Sequence, residues 1–156
     1  ENEARAHQER QLIDRAGENA TIDIPEVMVR NALDGMVADL RNQLRLQGLT
    51  LERYLEIINS DEDALREEYR PEAERRVRNA LTLEAIAKKE GLEPTEEDVA
   101  KELERLAEEY RVTVEDIREN YEKTGRMDDL REQLTYRRAV DFLVEHSKAK
   151  PADAAG

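Results

Sequence analysis

The sequence predicts an all-α fold: an elongated multi-helix domain with a helical body and two projecting helical arms. Three observations point there. Apolar residues recur three and four apart along most of the chain, the spacing that lines one face of a helix. Proline, glycine and threonine punctuate these stretches at Pro25, Gly48, Thr50, Gly91, Thr95, Thr113 and Gly125, as at helix starts and stops. Of 156 residues, 40% are charged and only 4% aromatic, so the apolar content forms narrow aliphatic stripes on extended helices rather than one wide interior.

Residues 2 to 16 have mild helical character and only Leu12, Ile13 and scattered alanines to bury. They read as the tail of a connecting helix, interrupted by Gly17 and a loop at Glu18-Asn19-Ala20. Ile22 and Ile24 then alternate as a brief extended segment. Pro25 suits the first position of the next helix, where its missing N–H would have no partner anyway. From Pro25 to Gln47, Val29, Leu33, Met36, Leu40 and Leu44 line one face. Gly48 stops that helix, and Thr50 caps a short one carrying Leu51, Tyr54, Leu55 and Ile58. Residues 25–59 are thus expected to close as a helical hairpin through two facing stripes.

A third helical region runs from Asp61 to Glu90, with Pro71 either kinking it or starting its second half, and Gly91 ends it. Thr95-Glu96-Glu97-Asp98 approximates a capping box, and Val99, Leu103, Leu106, Ala107 and Tyr110 form the next stripe. Thr113 opens a short helix with Val114, Ile117 and Tyr121. After Gly125 the last helix runs from Met127 to His146, and the alanine- and proline-containing end reads as a flexible tail. The expected organisation is a connecting helix and loop over residues 1–20, a helical domain over 21–148 and a tail over 149–156.

Two segments are apolar almost all the way round: Ala80-Leu81-Thr82-Leu83 with Ala85-Ile86-Ala87, and Ala139-Val140 with Phe142-Leu143-Val144. Such helices need cover on several sides. They are expected to pack on each other as the body, with the hairpins at 25–58 and 95–130 projecting as arms.

Several function classes find no support. A net charge of −13 repels phosphate backbones and argues against direct nucleic-acid binding. There is no cysteine, hence no disulfide or thiolate metal site, and no apolar run approaches membrane-spanning length. No signal peptide is recognisable, and the opening Glu1-Asn2-Glu3 lies inside a helical pattern, as expected of a segment from a longer protein. His7 and His146 lie at opposite ends of the chain, and Ser147 beside His146 points about 100° away on a helix, so no nucleophilic dyad is expected. Glu102, Glu104, Glu108 and Glu109 read as a solvated face. Arg75, Arg76 and Arg78 read as partners of nearby glutamates, with contact to acidic peptide segments as the alternative. No catalytic residue, metal or cofactor is expected.

Five dispersed segments carry a family resemblance: Thr21-Ile22-Asp23-Ile24-Pro25-Glu26-Val27-Met28-Val29, Gln47-Gly48-Leu49-Thr50-Leu51-Glu52-Arg53-Tyr54-Leu55, Arg70-Pro71-Glu72-Ala73-Glu74-Arg75-Arg76-Val77, Leu83-Glu84-Ala85-Ile86-Ala87-Lys88-Lys89-Glu90-Gly91 and Arg137-Arg138-Ala139-Val140-Asp141-Phe142-Leu143-Val144-Glu145. In this order they resemble the C-terminal, client-binding domain of trigger factor, the ribosome-associated chaperone of bacteria. The resemblance implies a cytoplasmic, ATP-independent holdase whose helical body and two arms cradle nascent or unfolded polypeptides. It also implies that ribosome contact and prolyl isomerisation belong to modules missing from this chain, which has neither a Gly-Phe-Arg-type loop nor an aromatic-rich strand-forming module. In the family a linker from before the isomerase module packs on this domain, and its loss is expected to expose an apolar groove or loosen the first helix.

The candidate client contacts are arm residues in excess of what a hairpin needs. On one arm they are Met36, Leu40, Leu44, Leu46, Leu49, Tyr54 and Ile58; on the other, Leu106, Tyr110, Val114, Ile117, Tyr121 and Met127. For each, the alternative is that it simply packs its own hairpin. Replacing Leu106 and Tyr110 together by serine is accordingly expected to weaken client capture more than helicity. A competing reading of the whole chain is a structural helical module for self-association or for one folded partner. Its stripes, however, are broken by Gly48, Gly91 and Gly125, unlike sustained heptads. Weak self-association stays open on either reading.

Overall fold

The computed structural model describes residues 2–149. Among them are seven α-helices and no strand: α1 (Asn2–Asn19), α2 (Glu26–Leu46), α3 (Leu51–Ile57), α4 (Glu62–Glu90), α5 (Glu96–Tyr110), α6 (Val114–Lys123) and α7 (Met127–Ala149). The all-α reading is therefore what the structure shows. Ala149 still belongs to α7, and the rest of the expected tail lies outside the described residues. Two compact units emerge, one from residues 14–82 and the other from the residues before 14 together with those from 83 onward. α1 and α4 contribute to both.

In the first unit, α2 and α4 lie antiparallel. Asp34 pairs with Arg66 at 2.8 Å and Glu26 with Arg70 at 3.0 Å, so contacts move down one helix as they move up the other. Between them, Val29 and Leu33 of α2 bury against Ala73 of α4. Val37 and Leu44 join Leu51 and Leu55 of α3 and Leu65 of α4 in a second cluster, with half-buried Tyr69 touching both. The stripe expected on 25–47 does face inward, but it is not closed by α3 alone. The short α3 covers only its far end and α4 covers the rest, so the expected two-helix hairpin is a three-helix packing.

Three local expectations are corrected here. Pro25 is the N-cap residue, extended at φ −62° and ψ 131°, and the helix begins one residue later. Pro71 neither breaks α4 nor divides it. It lies on the exposed side, as does Glu67 one turn earlier, where solvent can serve the carbonyl that the missing N–H leaves free. Gly17 does not interrupt the first helix but sits buried inside it. A Cβ there would come within 2.5 Å of Asn79 Oδ1, so the glycine permits a close approach of α1 to α4. Asp14, one turn earlier, completes that seam by accepting from Asn79 Nδ2 at 2.6 Å and from Arg75 Nη1 at 2.7 Å.

In the second unit, α5, α6 and α7 enclose Val99, Leu103, Leu106, Ala107, Ile117, Leu130 and Leu134. The α5 start is a full capping box: Thr95 Oγ1 accepts from the Asp98 backbone and Asp98 accepts from the Thr95 backbone. Arg138 joins that corner to α7, pairing with Asp98 at 3.0 Å and donating to the Glu93 carbonyl. A separate cluster unites Leu83, Ala87, Ala139 and Val140 with Ile13. The two apolar segments of the sequence thus meet, but the first is not covered all round, because Ala80 and Ala85 are exposed, whereas Ala139, Val140, Phe142, Leu143 and Val144 are all buried or half-buried. Alanine contributes so little apolar area that leaving it wet costs little.

Candidate functional site

The helix corners decide which apolar side chains stay wet. Five helices end in the same way: a residue in the left-handed region, then a backbone N–H reaching five residues back. The left-handed residues are Gly48, Asn59, Gly91, Arg111 and Gly125, and the closing bonds include Leu49 N to Leu44 O, Ser60 N to Leu55 O and Val112 N to Ala107 O, at 2.9–3.0 Å. This geometry satisfies the last carbonyls and turns the chain sharply. Residues just before or after such a corner have no neighbouring helix beyond them. Leu46 is 86% exposed, Ile57 63% and Ile58 48%, while Tyr110 is 63% and Val112 45% exposed.

The thirteen candidate residues separate into three environments. Leu44, Leu106 and Ile117 are buried in hairpin interiors, 6–9% exposed, the environment of the alternative in which each packs its own hairpin. The paired serine replacement of Leu106 and Tyr110 consequently mixes a core lesion with a surface one. Met36, Leu40, Leu49, Tyr54, Val114, Tyr121 and Met127 are half-buried against those interiors. Leu46, Ile58 and Tyr110 are exposed. Val27, Ile57, Val112 and Tyr136 are also exposed and were not among the candidates, since counting residues in register with a stripe passes over those that fall beside it. The signal available for Ile57 and Val112 was their place beside Asn59 and Arg111, but only Asn is a recognisable left-handed residue in a sequence.

Tyr136 also borders a groove of about 1020 Å³ between α1 and α7. Arg5, Glu9, Glu132 and Arg137 put charges of both signs around it, with Ala6 and Val140 among the apolar lining.

The polar groups make structural contacts. Ser147 Oγ donates to the Val144 carbonyl at 2.7 Å, and His146 Nδ1 lies 2.9 Å from the Phe142 carbonyl with its ring stacked on Phe142. Glu102 departs from the solvated face: its side chain is 11% exposed, paired with Arg105 at 2.8 Å and 3.6 Å from Arg137. The Arg105 hydrogen bond holds its carboxyl below the usual range. Arg75 and Arg76 both pair with Glu72, and Arg75 also with Asp14. No group of His, Asp and Glu among the described residues could hold a metal ion, and no described helix is long and apolar enough to cross a membrane.

The Glu72 fork has a measurable consequence. Hydrogen bonds from Arg75 first, then Arg76, outweigh its partial burial and lower its pKa from 4.5 to about 2. A lowered folded pKa gives stability that is present above the unfolded value and lost as pH falls from about 4.5 toward 2. The side chain is 38% exposed, so screening holds the effect to roughly 0.2–1 kcal/mol. Glu72→Gln is expected to melt below the parent chain at pH 7, with the gap narrowing as pH falls below about 4.5 and closing only as pH passes through about 2. A constant gap across that range would show that the fork carries no linkage.

Comparison with known proteins gives a consistent result. The profile of the bacterial trigger factor protein C-terminus matches residues 1–145. Trigger factors of Geobacillus sp. (strain WCH70) and Bacillus subtilis (strain 168) are 48% and 44% identical over 94% of this chain. The chain spans 34% of the length of each. A solved structure of trigger factor domains from Thermotoga maritima aligns with a TM-score of 0.60 at 22% identity, covering 88% of this chain and 79% of that one, a likeness of fold. The profile match and the closeness of the curated relatives establish that this chain belongs to the bacterial trigger factor family and corresponds to its C-terminal part.

Proposed function

We propose that this chain is an ATP-independent chaperone domain that holds exposed apolar segments of nascent or unfolded polypeptides in the bacterial cytoplasm. The observation that carries the reading is the separation of core from wet residues. The hairpin interiors are filled by Leu33, Leu51, Leu103 and their neighbours, and large apolar side chains remain uncovered at the corners of both units. Single exposed aliphatic residues are ordinary. Here six of the seven large ones, all but Tyr136, lie in the first or last turn of a helix or in the residues just beyond it.

Covering one such side chain contributes about 1.5–3 kcal/mol at most. Association must first offset several kcal/mol of lost freedom, so about four or five contacts reach micromolar affinity. Contacts divided between corners exchange independently, which favours multivalent capture and release without nucleotide. Half-buried Met36 and Met127 add side chains that adapt to varied partners. Clients are proposed to touch both arms. Ribosome contact and prolyl isomerisation are assigned to no residue of this chain.

The test is aggregation of two unrelated denatured proteins diluted into buffer without nucleotide. Stoichiometric amounts of the chain should suppress light scattering by both. Suppression of neither, together with a discrete oligomer in sedimentation, supports a self-associating structural module instead.

A further inference from the structure

Five glycines lie among the described residues, and four of them have a structural reason to be glycine. Gly48, Gly91 and Gly125 stand at positive φ, and Gly17 has no room for a Cβ. Gly35 has neither reason. It is exposed in the middle of α2, and a Cβ there would meet no heavy atom within 4 Å. What it does physically is weaken the helix, because glycine gives up more backbone freedom on folding than any other residue. α4 carries a weakness at the matching height. Pro71 lies inside it and leaves the Glu67 carbonyl without its intrahelical N–H. Asp34, next to Gly35, pairs with Arg66, next to Glu67, so both weak points fall at one level of the packing. The buried side chains divide there too. Val29, Leu33 and Ala73 belong to one cluster, Val37, Leu55 and Leu65 to another, and among the described residues Tyr69 alone packs against both.

We propose that the α2–α4 packing bends at this level, so that its far half, residues 36–66, swings as one body on Tyr69 against the half built around Val29, Leu33 and Ala73. Helices yield at glycine and proline. A weak point in only one of two packed helices would be splinted by the other, and here both are weakened together. The Asp34–Arg66 pair that crosses the level is exposed on the Asp34 side and holds the two halves only lightly. The far half carries exposed Leu46, Ile57 and Ile58. On the chaperone reading above, on which this part of the proposal rests, bending lets that grip follow clients of different shape, as adaptable surfaces do in promiscuous binders.

The experiment compares the parent chain with the double variant Gly35→Ala, Pro71→Ala. Both replacements favour the helix. Residual dipolar couplings of backbone amides report the alignment of each half separately. In the parent, residues 37–46 should align more weakly than residues 26–34; in the variant the two should align as one body. Amide exchange of residues 33–39 should slow by about two- to fivefold or more, the factor that glycine's cost in a helix gives alone. A similar factor should appear as lost affinity for at least one of two unrelated unfolded polypeptides, because a client that needs the bent form finds less of it. One common alignment in the parent would overturn the bend and leave the chaperone reading standing. Independent halves in parent and variant alike would overturn the roles of Gly35 and Pro71. A stiffened variant with unchanged affinity for both polypeptides would overturn the bend's part in client capture. No binding of either polypeptide by the parent would overturn the chaperone reading, while the couplings still decide the bend.

Discussion

Leu106→Ala is expected to lower the unfolding free energy of the α5–α7 packing by about 2–5 kcal/mol, the range for deleting a buried leucine side chain. Leu106 is 8% exposed and shares its cluster with Leu103, Ile117, Leu130 and Leu134. Three helices depend on that cluster, so the cavity is felt by all of them. Tyr110→Ser, one turn further on, should change stability by less than about 0.5 kcal/mol, because a 63% exposed ring has little packing to lose. Client capture should respond in the opposite order once each variant is compared while folded. Hydrogen exchange of α5–α7 amides measures the first effect and fluorescence anisotropy of a labelled unfolded polypeptide the second. If Tyr110→Ser accelerates exchange as much as Leu106→Ala does, the tyrosine belongs to the interior after all.

The triple variant Leu46→Ser, Ile58→Ser and Tyr110→Ser should weaken client affinity about ten- to a hundredfold. Full cover of each side chain contributes at most about 1.5–3 kcal/mol, and a shifting, weakly held client covers each only in part. A total loss of about 1.4–2.8 kcal/mol across the three corresponds to the stated factor. Far-ultraviolet circular dichroism should be unchanged, since none of the three fills a hairpin interior. An affinity within about twofold of the parent would place the contacts elsewhere, with Val27, Ile57, Val112 and Tyr136 as the remaining exposed apolar surface.

Much of the fold can be read before any coordinates because its signals are local. The left-handed corners at Gly48, Gly91 and Gly125 follow from glycine's freedom at positive φ, and all three have it. The caps at Thr50, Thr95 and Thr113 follow from a hydroxyl reaching the backbone three residues on, and all three do so. What stayed hidden depends on partners distant in sequence. Gly17 reads as a helix stop until Asn79 is placed against it. Glu102 reads as solvated until Arg105 and Arg137 enclose it. The same limit applies to the candidate contacts. That Leu44 and Leu46 are apolar is evident from the chain, but which of them faces α3 and α4 is a property of the packed unit.

The central claim is that the apolar corner residues, not the hairpin interiors, grip unfolded chains. Methyl spectra of the parent chain recorded during titration with two unrelated unfolded polypeptides test it most directly. Shifts of Leu46, Ile58 and Val112 by both polypeptides, with Leu33, Leu51 and Leu103 unmoved, are the predicted result. Shifts confined to the interior methyls, or found with only one polypeptide, would contradict it.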